Sequence, residues 1–142
     1  MRYILIILTL LGIAVSSLAL REHYRPYGES VCDINDHWDC GIVNHSPYAV
    51  LHGVPVANIG IAGYFLLGIL ALKRMYKTML VLAAPALAFS LYLAHIEKDV
   101  LGVWCLYCAI SLGTISLMTL LLAITVITRL VRRPMTGIRK EG

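Results

Sequence analysis

Charge is what this chain has least of. Only 14% of its 142 residues are Asp, Glu, Lys or Arg, against about 25% in an ordinary soluble domain. With 59% hydrophobic residues and a mean hydropathy of +0.79, a soluble globular domain is excluded and an integral membrane protein of one domain is implied. The net charge of +4 is then no sign of nucleic-acid binding, and the placement of the cations carries the information. There is no haem-attachment motif, no nucleotide-binding glycine pattern and no obvious metal cluster. Cysteine is also scarce, at four residues, and those four organise the rest of the reading.

The uncharged stretches are long enough to cross a bilayer whose hydrocarbon core is roughly 30 Å thick. They predict four spans, at about residues 3–20, 54–72, 78–96 and 103–128. The first has an alternative reading as a signal peptide, with Arg2 ahead of the apolar run and Ser16-Ser17-Leu18-Ala19 as a small-residue cleavage site. A retained helix is favoured, because the run exceeds a usual signal core and its removal would leave an odd number of spans. Gly60, Gly63 and Gly68 in the second span, and Ala84 and Ala88 in the third, offer small surfaces for close helix approach. Pro85 should kink the third span. The fold class expected is therefore an all-α four-helix membrane bundle with a long loop, residues 21–54, between the first two spans.

Lysine and arginine set the expected orientation, since cytoplasmic loops hold the excess. Four spans put Arg2, Lys73, Arg74, Lys77, Arg129, Arg132, Arg133, Arg139 and Lys140 on one side, and Arg21, Arg25 and Lys98 on the other. That bias of nine to three, read from the sequence, makes the long loop and the turn at 97–104 extracytoplasmic. A bacterial inner membrane is the first expectation, because the chain is short and shows no evident retention signal; an endoplasmic-reticulum membrane has the same topological sense.

All four cysteines then lie at the extracytoplasmic end. Cys105 and Cys108 form a C-x-x-C at the start of the last span, where positions three apart share a helical face and unpaired N–H groups favour a thiolate. Cys32 and Cys40 lie in the long loop. An even number of thiols on an oxidising face indicates disulfide chemistry. Two structural bridges are the plainer alternative, although a C-x-x-C closes too short a loop to be a good staple. A four-thiolate zinc site, with His37 as a spare ligand, is the third. Asp33, Asp36 and Asp39 surround the loop pair, and negative charge disfavours a thiolate. The loop pair should therefore give electrons and the helix pair take them. With no acceptor encoded in the chain, a lipid-soluble quinone entering the bundle near Leu106, Ala109, Ile110 and Leu112 is the expected one.

With these residues in place the sequence resembles the vitamin K epoxide reductase family, in its short form without a fused thioredoxin domain. The resemblance rests on four spans, two cysteines with seven residues between them after the first span, Ser46 six residues beyond Cys40, and the C-x-x-C at the last span. It implies that Cys105 and Cys108 are the active pair, with Cys108 meeting a quinone of the ubiquinone or menaquinone (vitamin K) type. It also implies that Cys32 receives electrons from a reduced thioredoxin-fold (DsbA-like) protein, that Cys40 exchanges with Cys105, and that Ser46 helps order the loop. In vertebrate members a tyrosine that contacts vitamin K follows the second active cysteine by four residues; Leu112 stands there. The asparagine those members use in the second span has only the shifted Asn58 near it. Asn58 and Leu112 are the remaining candidates for quinone contact. A thiol–quinone oxidoreductase supporting disulfide formation is the first expectation. A vertebrate-type epoxide reductase and a non-enzymatic membrane protein with structural disulfides are the alternatives. His37, His45, His52 and His95 are candidate proton carriers or plain interfacial residues, and Trp104, Tyr107 and Tyr92 read as interfacial aromatics.

Overall fold

The computed structural model describes residues 1–26 and 28–132; Arg133, Arg139 and Lys140, counted above among the cytoplasmic cations, lie outside the described residues. The described residues form five α-helices: α1 (Arg2–Tyr24), the short α2 (Cys40–His45), α3 (Val56–Leu72), α4 (Tyr76–Ile96) and α5 (Leu106–Arg132). Three of them, α1, α4 with its continuation to Leu101, and α5, are long and apolar enough to cross a membrane, while α3 has 17 residues. The chain is an all-α membrane protein in which α1 packs on α3 and α5, and α4 on α5.

Helices α1, α4 and α5 each run past at least one of their sequence-based limits, whereas α3 starts two residues inside its own and α5 three residues late. α1 continues to Tyr24, because Arg21 and Glu22 are acceptable helix formers once the apolar stretch has nucleated the helix. Helix α4 runs without a break through Pro85. The segment expected as one long loop is itself structured. It carries α2, a 3₁₀ turn at Pro47–Ala49, and a two-stranded hairpin, β1 (Val50–Leu51) and β2 (Val54–Pro55), with Val50 opposite Pro55. His52 and Gly53 both have positive φ, 51° and 83°, as a two-residue hairpin turn requires.

Small residues act where backbones meet, since apolar burial between helices gains little over contact with lipid. A Cβ on Gly12 would collide with the Tyr64 ring, and one on Gly60 would sit 2.9 Å from Ser16 Oγ. A Cβ on Gly68 would lie 3.3 Å from Thr9 Oγ1. Gly63 departs from expectation: nothing lies within 4 Å of its Cβ position, because it borders a cavity. Ala84 and Ala88 are exposed as well, and α4 turns Met79 and Ala83 inward instead. The hydroxyls of Thr114, Ser116, Thr119 and Thr125 each donate to the carbonyl four residues back, satisfying their polarity within the helix.

Two buried clusters result. One fills the bundle with Leu5, Tyr64, Leu67, Met79, Ile115, Met118 and Leu122 among others. The other, at the end that carries the loop, consists of Cys32, Cys40, Val43, Val103 and Cys105.

Candidate functional site

The loop is fastened over α5 by main chain. The Trp104 N–H donates to the His37 carbonyl at 2.8 Å, and the Asp39 N–H donates to the Trp104 carbonyl at 3.0 Å, a short parallel bridge between residues 37–39 and 104. One residue beyond the bridge on each side stand Cys40 and Cys105. Asp39 is the N-cap of α2 and accepts the Ile42 N–H at 2.8 Å, while Asp33 Oδ1 accepts the Gly41 N–H at 3.3 Å. The loop aspartates thus hold α2, and with it Cys40, in place, in addition to charging the loop.

Cys32 and Cys40 form a disulfide, and Cys105 and Cys108 are free thiols. Cys40 Sγ lies 3.4 Å from Cys105 Sγ, with both residues fully buried. Cys105 occupies the N-cap position of α5, its carbonyl accepting the Ala109 N–H at 2.9 Å. It stands one residue ahead of the spanning helix. A hydrogen bond from the Cys108 thiol holds the Cys105 thiol below its ordinary range. Burial and the charge of Glu97 oppose that shift, and the Cys108 backbone N–H and the Asn44 amide assist it. The three sulfurs of Cys40, Cys105 and Cys108 therefore form a contiguous path, along which thiol–disulfide exchange can pass an electron pair.

The path ends at a cavity of about 310 Å³. Its walls come from α1 (Ser16, Ala19, His23), α2 (Val43, Asn44), Ser46, α3 (Gly60, Gly63, Tyr64, Leu67), α4 (Leu93, Ala94), Glu97, Trp104 and α5 (Tyr107, Cys108, Ser111, Leu112). Such an apolar wall with a few polar groups suits a flat hydrophobic ligand of modest size. The Tyr64 hydroxyl lies 3.0 Å from both the carbonyl and the hydroxyl of Ser111, tying α3 to α5 across this space.

Of the sequence candidates, Cys108, Leu112 and Ser46 line the cavity. Ser46 donates its hydroxyl to the Val43 carbonyl at 2.7 Å and ends α2. Asn58 is half-buried and is not in the wall, which passes through its neighbours Ala57 and Ile59. Trp104 and Tyr107 line the cavity, whereas Tyr92 is exposed. His37 is exposed and gives its carbonyl to the bridge. His52 sits in the hairpin turn, and His95 pairs with Asp99 at 2.6 Å on the surface. His45 spans from the Gly41 carbonyl to that of Arg25. Among the described residues no group of three or more His, Cys, Asp or Glu side chains is placed to hold a metal.

Three residues at the site escaped the sequence reading. Asn44 Nδ2 donates to the Cys40 carbonyl at 2.9 Å and reaches Cys105 Sγ at 3.5 Å. His23, from the extension of α1, donates Nδ1–H to the Asn44 carbonyl at 2.6 Å. Glu97, 3% exposed, accepts the Cys105 N–H on Oε2 at 3.1 Å. The only signal for Asn44 was its spacing of four from Cys40, one helical turn, in a segment with no helical pattern long enough to read.

The family model described as Vitamin K epoxide reductase family matches residues 3–126, most of the chain and all of the site. Comparison with curated proteins finds no match.

Proposed function

Because this chain belongs to the vitamin K epoxide reductase family, whose members are membrane oxidoreductases acting on quinones through thiols, we propose that it is a four-span thiol–quinone oxidoreductase serving disulfide formation outside the cytoplasm. The observation that carries this reading is the run of sulfurs from the Cys32–Cys40 disulfide, across 3.4 Å to Cys105, and on to Cys108 in the cavity wall.

The cycle follows from that run. A dithiol on an extracytoplasmic thioredoxin-fold partner reduces the Cys32–Cys40 disulfide through a mixed disulfide at Cys32 and leaves oxidised. Cys40, then a thiolate, attacks the Cys105–Cys108 disulfide at Cys105, and Cys32 resolves the product. The loop disulfide is restored and the helix pair is left reduced. Cys108 leaves in the attack and Cys105 in the resolution by Cys32, a step for which its lowered pKa makes Cys105 a good leaving group. Two electrons then pass from the helix pair to a quinone, of ubiquinone or menaquinone type, in the cavity. Cys32 is 3% exposed, while its neighbours Val31 and Ile34 stand out at 78% and 64%. Docking of the partner on these two side chains is the natural way to open the loop around Cys32.

The orientation is supported by the far end of the bundle, where Arg74, Lys77, Arg129 and Arg132 gather around one cleft, as expected of a cytoplasmic face. The membrane in this reading is the bacterial inner membrane. The test is quinone reduction by the purified protein. Cys108→Ala abolishes it with any reductant. Cys32→Ala loses turnover with the protein partner but keeps it with a small dithiol. Supplying vitamin K epoxide in place of quinone separates the epoxide-reductase alternative. An inactive wild type with inert, oxidised cysteines returns the structural-disulfide reading to first place.

A further inference from the structure

Reduction of a quinone by a dithiol moves two protons as well as two electrons, and the sulfur path accounts only for the electrons. The proton carrier must touch both Cys108 and the cavity, and must exist in two protonation states. Of the histidines considered from sequence, His37, His52 and His95 do not line the cavity, and His45 is held between two backbone carbonyls. His23 lines the cavity and donates Nδ1–H to the Asn44 carbonyl, but among the described residues no hydrogen bond joins it to Cys108.

Glu97 meets the requirement. It opens the π-helical turn Glu97–Leu101 that continues α4, a turn closed by Gly102 at φ 70°. The wider helical turn tips the carboxyl inward, away from its exposed neighbours Lys98 and Asp99. One oxygen accepts the Cys105 N–H at 3.1 Å, and the residue forms part of the cavity wall together with Cys108, whose thiol is close enough to interact with the carboxyl. No cation pairs with it among the described residues, whose ion pairs are Arg25 with Glu22 and His95 with Asp99. Its charge therefore changes by gain or loss of a proton, and the proton has a thiol on one side and the ligand space on the other.

We propose that Glu97 is the catalytic acid–base of the reaction, taking the proton of the Cys108 thiol and delivering it to the nearer quinone oxygen. This rests on the thiol–quinone reading above. In the step, the Cys105 thiolate and the Cys108 thiol become the Cys105–Cys108 disulfide. The S–H bond of Cys108 breaks, the S–S bond forms, and two electrons reduce the quinone. One proton arrives from Cys108 through Glu97 and the second from water at the outer face, so thiolate, thiol, quinone and one proton yield disulfide and quinol. The carboxylate is regenerated when its proton is passed on, ready for the next turnover.

The isosteric variant Glu97→Gln tests this, because its amide oxygen can still accept the Cys105 N–H but cannot carry a proton. The protein is pre-reduced with dithiol and mixed with a short-chain ubiquinone, and the single-turnover rate is followed. Quinone affinity is read separately by quenching of tryptophan fluorescence, Trp104 being in the cavity wall. The expected result is a rate lower by about 10²-fold or more, an affinity within roughly twofold of wild type, and a Glu97→Asp variant faster than Glu97→Gln. Glu97→Gln turning over within a few-fold of wild type overturns the proposal. So does a Glu97→Gln variant that has lost quinone quenching along with its rate and is not rescued by Asp, since Glu97 is then a structural buttress. Failure of the wild type itself to reduce quinone removes the thiol–quinone reading underneath, an outcome distinct from any effect of the variants.

Discussion

The two buried clusters of this protein are built on opposite plans. The bundle core is held by shape: leucines, methionines and alanines fill the space between helices, glycines let backbones touch, and hydroxyls such as those of Thr114 and Thr119 bond within their own helix. The outer cluster is small and depends on polar connections between segments distant in sequence: a backbone bridge, an amide on a thiol, a carboxyl on a backbone N–H. The bundle can therefore tolerate changes of identity that keep volume, whereas the outer cluster can tolerate changes of volume at its rim only if the connections stay. Fold stability resides in the first and chemical reactivity in the second.

Substitutions that strike one cluster and spare the other sharpen this division. The largest effect is expected from Trp104→Pro, which removes the N–H bonded to the His37 carbonyl and parts the loop from α5. Exchange between Cys40 and Cys105, followed by trapping of the mixed disulfide, should fall by orders of magnitude, while the thermal stability of the bundle changes little. The converse is Gly12→Ala. Its new Cβ meets the Tyr64 ring and should lower stability by about 1–3 kcal/mol, read as a lower melting temperature in detergent, with the exchange rate below that temperature unchanged. If Gly12→Ala also alters exchange, the clusters are coupled through Tyr64 and the division fails.

The smallest effect is expected from Asn44→Ala. It removes one donor to the Cys105 sulfur, worth roughly 1 kcal/mol. The sign follows from what that donor stabilises: the Cys105 thiol sits below its ordinary range, so loss of a donor to the thiolate moves it back up. The pH profile for alkylation or exchange at Cys105 should shift to higher pH, and the rate at pH 7 should fall by roughly fivefold. An unshifted profile would place the control of Cys105 in the Cys108 thiol alone.

Much of the bundle and the positions of the four cysteines could be read from sequence, because both rest on local signals. An uncharged run of about 20 residues is long enough to form a spanning helix, and a C-x-x-C at the start of such a run falls at a helix N-terminus. The same local logic misjudged Ala84 and Ala88, since a small-residue spacing does not say which face of a helix turns inward. Gly63 reads like Gly60 and Gly68 for the same reason, yet lines open space. What escaped entirely was non-local. Asn44 and Cys105 are 61 residues apart, and nothing in a six-residue helix announces that its amide will reach a distant sulfur. Glu97 reads as one more charged residue in a turn with Lys98 and Asp99; its burial follows from a single wide helical turn that has no sequence signature.

The bridge between residues 37–39 and Trp104 uses only amide and carbonyl groups, which every residue except proline supplies in full. The fastening of loop to helix is thus indifferent to side-chain identity at His37, Trp38 and Trp104, while Asp39 has the further task of capping α2. A lineage can retune redox potential, partner preference or quinone choice by substituting residues around the thiols without first rebuilding the clasp that aligns them, so mechanics and chemistry are free to evolve on separate schedules.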